Sequence, residues 1–218
     1  MRISFLHTID GNRQVFEQAA RDLGLRPDDL HHEVRPDLRE AVQQAGTFPV
    51  DVRNQTSHCL LGLAANADAV VLTCATLGPA VADVESSPAP IVRADAALAA
   101  ASARAGGTIV VLCAAESAIE STRKLFTEHA RENTASVEIV HLARAWALFQ
   151  SGDLDACFAA IAASADDAYD AGATVVAFAH PWMAPAVQLV GKGRRPLDSA
   201  HATLRAVMQQ FGERSVSA

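Results

Sequence analysis

The chain has 218 residues, half of them apolar, enough for one large domain or two smaller lobes that each carry a sheet. Aromatic residues make up only 5%, which argues against a stacking platform for single-stranded nucleic acid, and a net charge of −7 without any basic run excludes nucleic-acid and anionic-membrane partners. The N-terminal stretch lacks the apolar core and cleavage site of a signal peptide, and no window is apolar over a membrane span, so a cytoplasmic protein is expected.

Short apolar runs alternate with helical patterns. Ile3 to Leu6 reads as a buried strand, followed by a helix from Asn12 to Leu23 that stops at Gly24. A second helix starts after Asp51 and puts Val52, Cys59, Leu60 and Leu63 on one face. Ala69 to Leu72 is a strand ending at Thr73-Cys74, and Pro79 suits the first turn of a following helix. A new unit is expected near Gly106-Gly107, opening with a strand over Thr108 to Leu112. Ser117 and Glu120 form a capping box for the next helix. Val137 to Val140 reads as a strand, and Leu154 to Ala165 as an amphipathic helix that stops at Gly172. Ala173 to Ala179 is a strand, and the last helix carries Leu204, Val207, Met208 and Phe211 on one side. Ser215 to Ala218 reads as a frayed tail. The specificity loops are expected around Pro27 to Val50 and Thr134 to Gly152.

Strands separated by helices call for parallel sheets with crossover helices, and such sheets bind ligands beyond the carboxyl ends of their strands. Two stretches echo each other there. Asn66 to Cys74 and Gly172 to His180 each run from a helix end through a turn and a buried strand to a reactive side chain. A weaker echo links Ile3 to Thr8 with Ile109 to Ala114. The four cysteines, Cys59, Cys74, Cys113 and Cys157, contain no CxxC pair, so free thiols and no metal are expected.

The stretch DAVVLTCATLGP, Asp68 to Pro79, resembles the first-cysteine motif of the aspartate/glutamate/hydantoin racemase superfamily, and GATVVAFAHPWMAP, Gly172 to Pro185, resembles its second motif. The resemblance covers nearly the whole chain in element order. It implies an α/β fold of two pseudo-symmetric lobes, each a short, mainly parallel sheet flanked by helices, with the active site in the cleft between them. It divides the chain into a first lobe (1–95) with Cys74, a second (96–195) with His180, and a C-terminal helix (196–218) that packs back on the first. It implies no cofactor, a homodimer, and a small carboxylate or hydantoin-like substrate. The family's racemases place one cysteine on each face of the substrate. Cys74 matches the first, and the second falls on His180. An alignment on a Cys-Thr-His motif would put Phe178 there instead. Where those racemases resemble Cys-Asn-Thr, this chain has Cys74-Ala75-Thr76.

The residue chemistry fits such a site. A cysteine just before a helix N-terminus has its thiolate stabilised by unpaired N–H groups, which can also hold a carboxylate or an enediolate. His180 is a base or acid for the second face, or a hydrogen-bond partner of a carboxylate. Thr76 and Ala75 are expected to bind substrate, with His7 and Thr8 after the first strand and Ser117 in the second lobe. The cluster Lys192, Arg194, Arg195 is a solvated loop or an attractor of anions. The expected function is a racemase, epimerase or isomerase that moves a proton alpha to a carboxylate or amide without a cofactor. The alternatives are an arylmalonate-type decarboxylase and a silent small-carboxylate-binding protein.

Overall fold

The structure, a computed structural model, describes residues 1–131 and 133–216, the side chains as far as residue 212. The chain divides into two compact units: Met1–Ala97 together with the residues from Ala200 on, and Leu98–Ser199. The division falls inside a helix, ahead of the Gly106-Gly107 pair.

The first unit is built on a four-stranded parallel sheet of β1 (Ile3–His7), β2 (Leu30–Val34), β3 (Ala69–Leu72) and β4 (Ile91–Arg93), in the order β2-β1-β3-β4. Alternation along its inner strands sends side chains to two separate cores. Ile3, Phe5, Ala69 and Val71 pack with Phe16, Ala19 and Ala20 of α1 (Asn12–Asp22) and with Ala200, Leu204 and Val207 of α8 (Ser199–Val216). Leu6, Val70 and Leu72 point the other way, to Leu38 of α2 (Pro36–Ala45) and Val52, Leu60 and Leu63 of α3 (Val50–Ala64). With both faces covered, β1 and β3 have no solvated side; β3 reads as a continuous apolar run and β1 as one broken by the buried Ser4 and His7.

The second unit repeats the plan. Its strands are β5 (Thr108–Cys113), β6 (Ser136–His141), β7 (Val175–Phe178) and β8 (Leu197–Asp198), parallel and in the order β6-β5-β7-β8. The helices α5 (Ile119–Arg131), α6 (Ala143–Ser151) and α7 (Leu154–Asp170) follow β5 and β6, and α4 (Ala94–Ala105) precedes them. Ile3 pairs with Ala69 as Ile109 pairs with Val175. The same number of residues separates Ile3 from Ile109, Ala69 from Val175 and Cys74 from His180, so the echo in the sequence is a duplicated topology.

Several expectations are corrected. The supposed loop from Pro27 to Val50 holds β2 and α2, and that from Thr134 to Gly152 holds β6 and α6. The capping box does not form: Ser117 lies exposed inside a 3-10 turn, Glu116–Ala118, whose N-cap is Ala115 with no side-chain cap bond. A side-chain cap is found instead at α7, where Asp153 accepts the Ala156 N–H. Pro79 lies in the middle of a nine-residue 3-10 segment, Ala75–Asp83, rather than in the first turn of an α-helix. At the C-terminus α8 continues through Val216, and residues 217–218 of the expected frayed tail lie outside the described residues.

Candidate active site

In each unit one residue separates an inner strand from its reactive side chain, and a nine-residue 3-10 segment follows at once: Ala75–Asp83 after Cys74, Pro181–Leu189 after His180. Cys74 and His180 are the N-caps of these segments and have matching extended backbones, φ −106°, ψ 113° and φ −112°, ψ 135°. Both stand beyond the carboxyl end of a central parallel strand, where α/β sheets bind their ligands. A cavity of about 400 Å³ lined by Arg2, Ser4, Leu30, His31 and Asn66 opens at the opposite, amino ends of the first unit's strands.

The first unit holds its 3-10 segment by three tethers. Ser57 Oγ donates to the Ala80 carbonyl, Arg53 makes a two-pronged ion pair with Asp83, and the Arg93 guanidinium lies against Gly78. A Cβ on Gly78 would come within 2.5 Å of Arg93 Nη2, so a larger residue there would have to push the guanidinium aside. Arg93 is itself clamped from the end of β4 by the buried Asp95, at 2.6 and 3.0 Å. Cys74 is half-buried against the Leu6/Leu72/Leu77 core, and Ala75 and Thr76 are half-exposed in the first turn. The Leu77 N–H bonds back to the Cys74 carbonyl at 3.2 Å.

His7 and Thr8 close β1, but neither is presented at a surface, with exposures of 0% and 3%. Both ring nitrogens of His7 are taken. Nδ1 lies 2.9 Å from Thr73 Oγ1, and Nε2 lies 2.8 Å from His32 Nδ1. The Thr73 hydroxyl donates to the Leu6 carbonyl, so it accepts from His7, which in turn accepts from His32. Burial and the neighbouring His32 hold the His7 pKa down to about 3, and burial holds His32 at about 4. His7 thus sits in a buried chain of neutral rings that clamps the residue before Cys74. No sequence signal pointed to His32, because β2 is short and polar.

In the second unit His180 is buried and its ring stacks parallel to Trp182, centroids 5.7 Å apart. Trp182 in turn stacks on Phe149 of α6 at 4.1 Å. The N–H groups of Ala114 and Ala115, just beyond β5, donate to His180 Nε2 at 3.0 and 3.1 Å. Cys113, the counterpart of His7, places Sγ 3.6 Å from the same nitrogen. Burial pushes the Cys113 thiol up to about 11 and the His180 ring down to about 4. Arg194 of the basic cluster is committed to Asp166 and Asp170 of α7, which ties down that loop. Cys59, at the edge of the first unit's core, receives an Arg35 N–H, and the buried Cys157 donates to the Ala145 carbonyl. Among the described residues no cluster of histidine, cysteine and carboxylate side chains is placed to hold a metal, and no helix is long and apolar enough to cross a membrane.

No protein-family model matches the sequence, and no curated protein matches it. Solved structures do. An aspartate racemase from Picrophilus torridus superposes with a TM-score of 0.75 at 12% identity, covering 97% of this chain and 94% of that one. An allantoin racemase from Klebsiella pneumoniae gives 0.69 at 14% identity over 97% and 88% of the two chains. A maleate isomerase from Pseudomonas putida S16 gives 0.58 at 16% over 97% and 92%. With its two duplicated four-stranded parallel sheets, the chain shares the α/β fold of these racemase and isomerase structures.

Proposed function

We propose that this protein is an isomerase-type enzyme that moves a proton at the carbon alpha to a carboxylate or amide, using Cys74 and no cofactor. The carrying observation is the position of Cys74: a half-exposed thiol beyond the carboxyl end of β3, entering a 3-10 segment at the duplicated position of a fold shared with racemases and a maleate isomerase. In this reading the Cys74 thiolate takes the alpha proton. The first-turn N–H groups and the Thr76 hydroxyl receive the carboxylate whose charge grows as the enediolate forms. Ala75 lies in that turn, Thr8 follows β1, and Ser117 and His180 are the candidate residues carried by the second unit.

The test is solvent exchange. The protein is incubated in D2O with a panel of 2-substituted carboxylates, amino acids and hydantoins, and the alpha-proton signal is followed by NMR. Loss of that signal for at least one substrate class is expected, slowed by about three orders of magnitude or more in Cys74→Ala, as for removal of an acid–base or nucleophilic side chain. Equal exchange in the variant sinks the reading. One observation favours a second reading, a decarboxylase of the arylmalonate type: of the two equivalent positions, only one carries a thiol. CO2 release from a 2-substituted malonate would establish it. Binding of a small dicarboxylate without turnover would mark a silent binding protein.

A further inference from the structure

The cavity of about 400 Å³ at the amino ends of the first unit's strands is within the size range of small-molecule pockets, roughly 300–1,000 Å³. Two small residues make room for it. Ser4 interrupts the apolar run of β1 on the face that sends Leu6 toward α3, and Gly62 lies in α3 where a Cβ would meet nothing within 4 Å. The offset that carries Ile3 to Ile109 carries Ser4 to Val110 and Gly62 to Ala168, so the second unit has bulkier residues at both positions. The Ser4 side chain is also a polar group in an inner strand. It is 5% exposed, and its hydroxyl meets no hydrogen-bond partner among the described residues, a placement that costs stability unless a partner reaches it through the cavity.

Two opposite charges line the same cavity without pairing with each other. The Arg2 backbone is fixed on both sides by Asp68, whose carboxylate accepts the Arg2 N–H at 2.7 Å and whose N–H donates to the Arg2 carbonyl at 2.8 Å. The Arg2 guanidinium makes no ion pair among the described residues. Asp28 stands in the 3-10 turn Pro27–Asp29 ahead of β2. Its neighbour Asp29 is taken up by Arg26 at 2.9 and 3.2 Å, while Asp28 itself is unpaired there. The last turn of α3, which borders the cavity at Gly62 and Leu63, carries no basic side chain, so its carbonyl end stays negative.

We propose that this cavity binds a small zwitterion, with its carboxylate on Arg2 and Ser4 and its ammonium group on Asp28 and the carbonyl end of α3. A guanidinium pairs with a carboxylate through two parallel bonds and so fixes its orientation. An ammonium group has three donors and no acceptor, which suits a carboxylate beside helix carbonyls. A ligand with one charge would leave the opposite charge of the cavity unanswered. The site is separate from Cys74, which stands at the carboxyl end of the same sheet, and it does not depend on the chemistry proposed there.

The test is titration of the nitrogen-15-labelled full chain with glycine and with alanine, followed by NMR. The amide signals of Leu30, His31, Leu63 and Asn66 are expected to shift and saturate with a Kd on the order of 1 mM. Acetate and methylammonium, which carry one charge each, should bind about tenfold more weakly or less, as should either amino acid to Arg2→Gln, since each loses a charged hydrogen-bond contact. Gly62→Met fills the cavity from a helical position that methionine favours over glycine, so the variant is expected to keep its melting midpoint and lose the shifts. Ser4→Val, which copies Val110, is the second variant and should lose them too. Shifts confined to Ala75 and Thr76, or undiminished in both variants, put the zwitterion elsewhere and overturn the proposal. Equal binding of acetate overturns the need for two charges, and no shift at the four amides overturns the site.

Discussion

A cysteine reacts as its thiolate, so burial and a raised proton affinity both slow it. Cys113 and Cys157 are buried, and burial raises the pKa of both. Cys74 and Cys59 are half-buried, and the desolvation of Cys59 raises its pKa although Arg35 lies beside it. Brief alkylation of the folded protein with iodoacetamide, read by peptide mass spectrometry, is expected to modify Cys74 first and Cys59 more slowly. Cys113 and Cys157 should be modified only after unfolding. Early labelling of Cys113 would show that the His180 surroundings open to solvent and that burial does not set the state of that ring. The identity of Cys74 and His180 as paired positions was legible in the sequence, because strand, spacing and following segment repeat together. What each ring nitrogen touches was not legible. The partners of His180 are backbone amides that carry no residue code, and those of His7 lie just past β3 and on β2.

At the scale of elements, the 3-10 segment after Cys74 depends on a notch. Gly78 has no side chain, and the Arg93 guanidinium occupies the space, its position held by the buried Asp95. Gly78→Ala sets a methyl 2.5 to 2.8 Å from three guanidinium atoms. Overpacking of this kind costs about 1–3 kcal/mol, and here Arg93 must give way against two hydrogen bonds. In urea unfolding, Gly78→Ala should lower the midpoint markedly in the native background and much less with Arg93→Ala. A coupling of about 1 kcal/mol is expected across that double-mutant cycle. Independent effects would mean that Arg93 does not brace the segment. The inner strands β1, β3, β5 and β7 were readable because they are buried on both faces, which forces largely apolar runs. The edge strands escaped notice for the same physical reason. β2 reads Leu-His-His-Glu-Val and is mostly half-exposed, while β4 and β8 have three and two residues, too few for a period. The helix α2 carried its signals, Pro36 at the first position and Gly46 in left-handed backbone after the end, but its weakly apolar face reads as loop.

Across the whole molecule, each unit buries a neutral histidine, His7 in the first and His180 in the second, at positions the duplication does not pair, and this makes stability depend on pH. Unfolded, the rings of His7 and His180 take up a proton at the ordinary value of 6.5; folded, His180 does so only at about 4 and His7 at about 3. Between those values the unfolded chain binds more protons than the folded one. Stability is therefore full above about pH 6.5 and falls as the pH drops toward 4. At pH 4.5, two units below the unfolded value, each ring costs about 3 kcal/mol, because one pKa unit corresponds to about 1.4 kcal/mol. His32 shifts in the same direction, more exposed and so contributing less. Two such losses, about 5 kcal/mol together, are a large share of the margin of an ordinary domain. Melting followed by circular dichroism should show a flat midpoint from pH 8 to 7 and a steep decline from pH 6 to 4.5. The slope should be shallower in His7→Phe, which keeps a ring in the stack with Phe5 and removes the titrating nitrogens. A midpoint independent of pH over that range would mean that the buried rings gain protons without opening the structure, and the neutral chain from His32 through His7 to Thr73 would then be wrong.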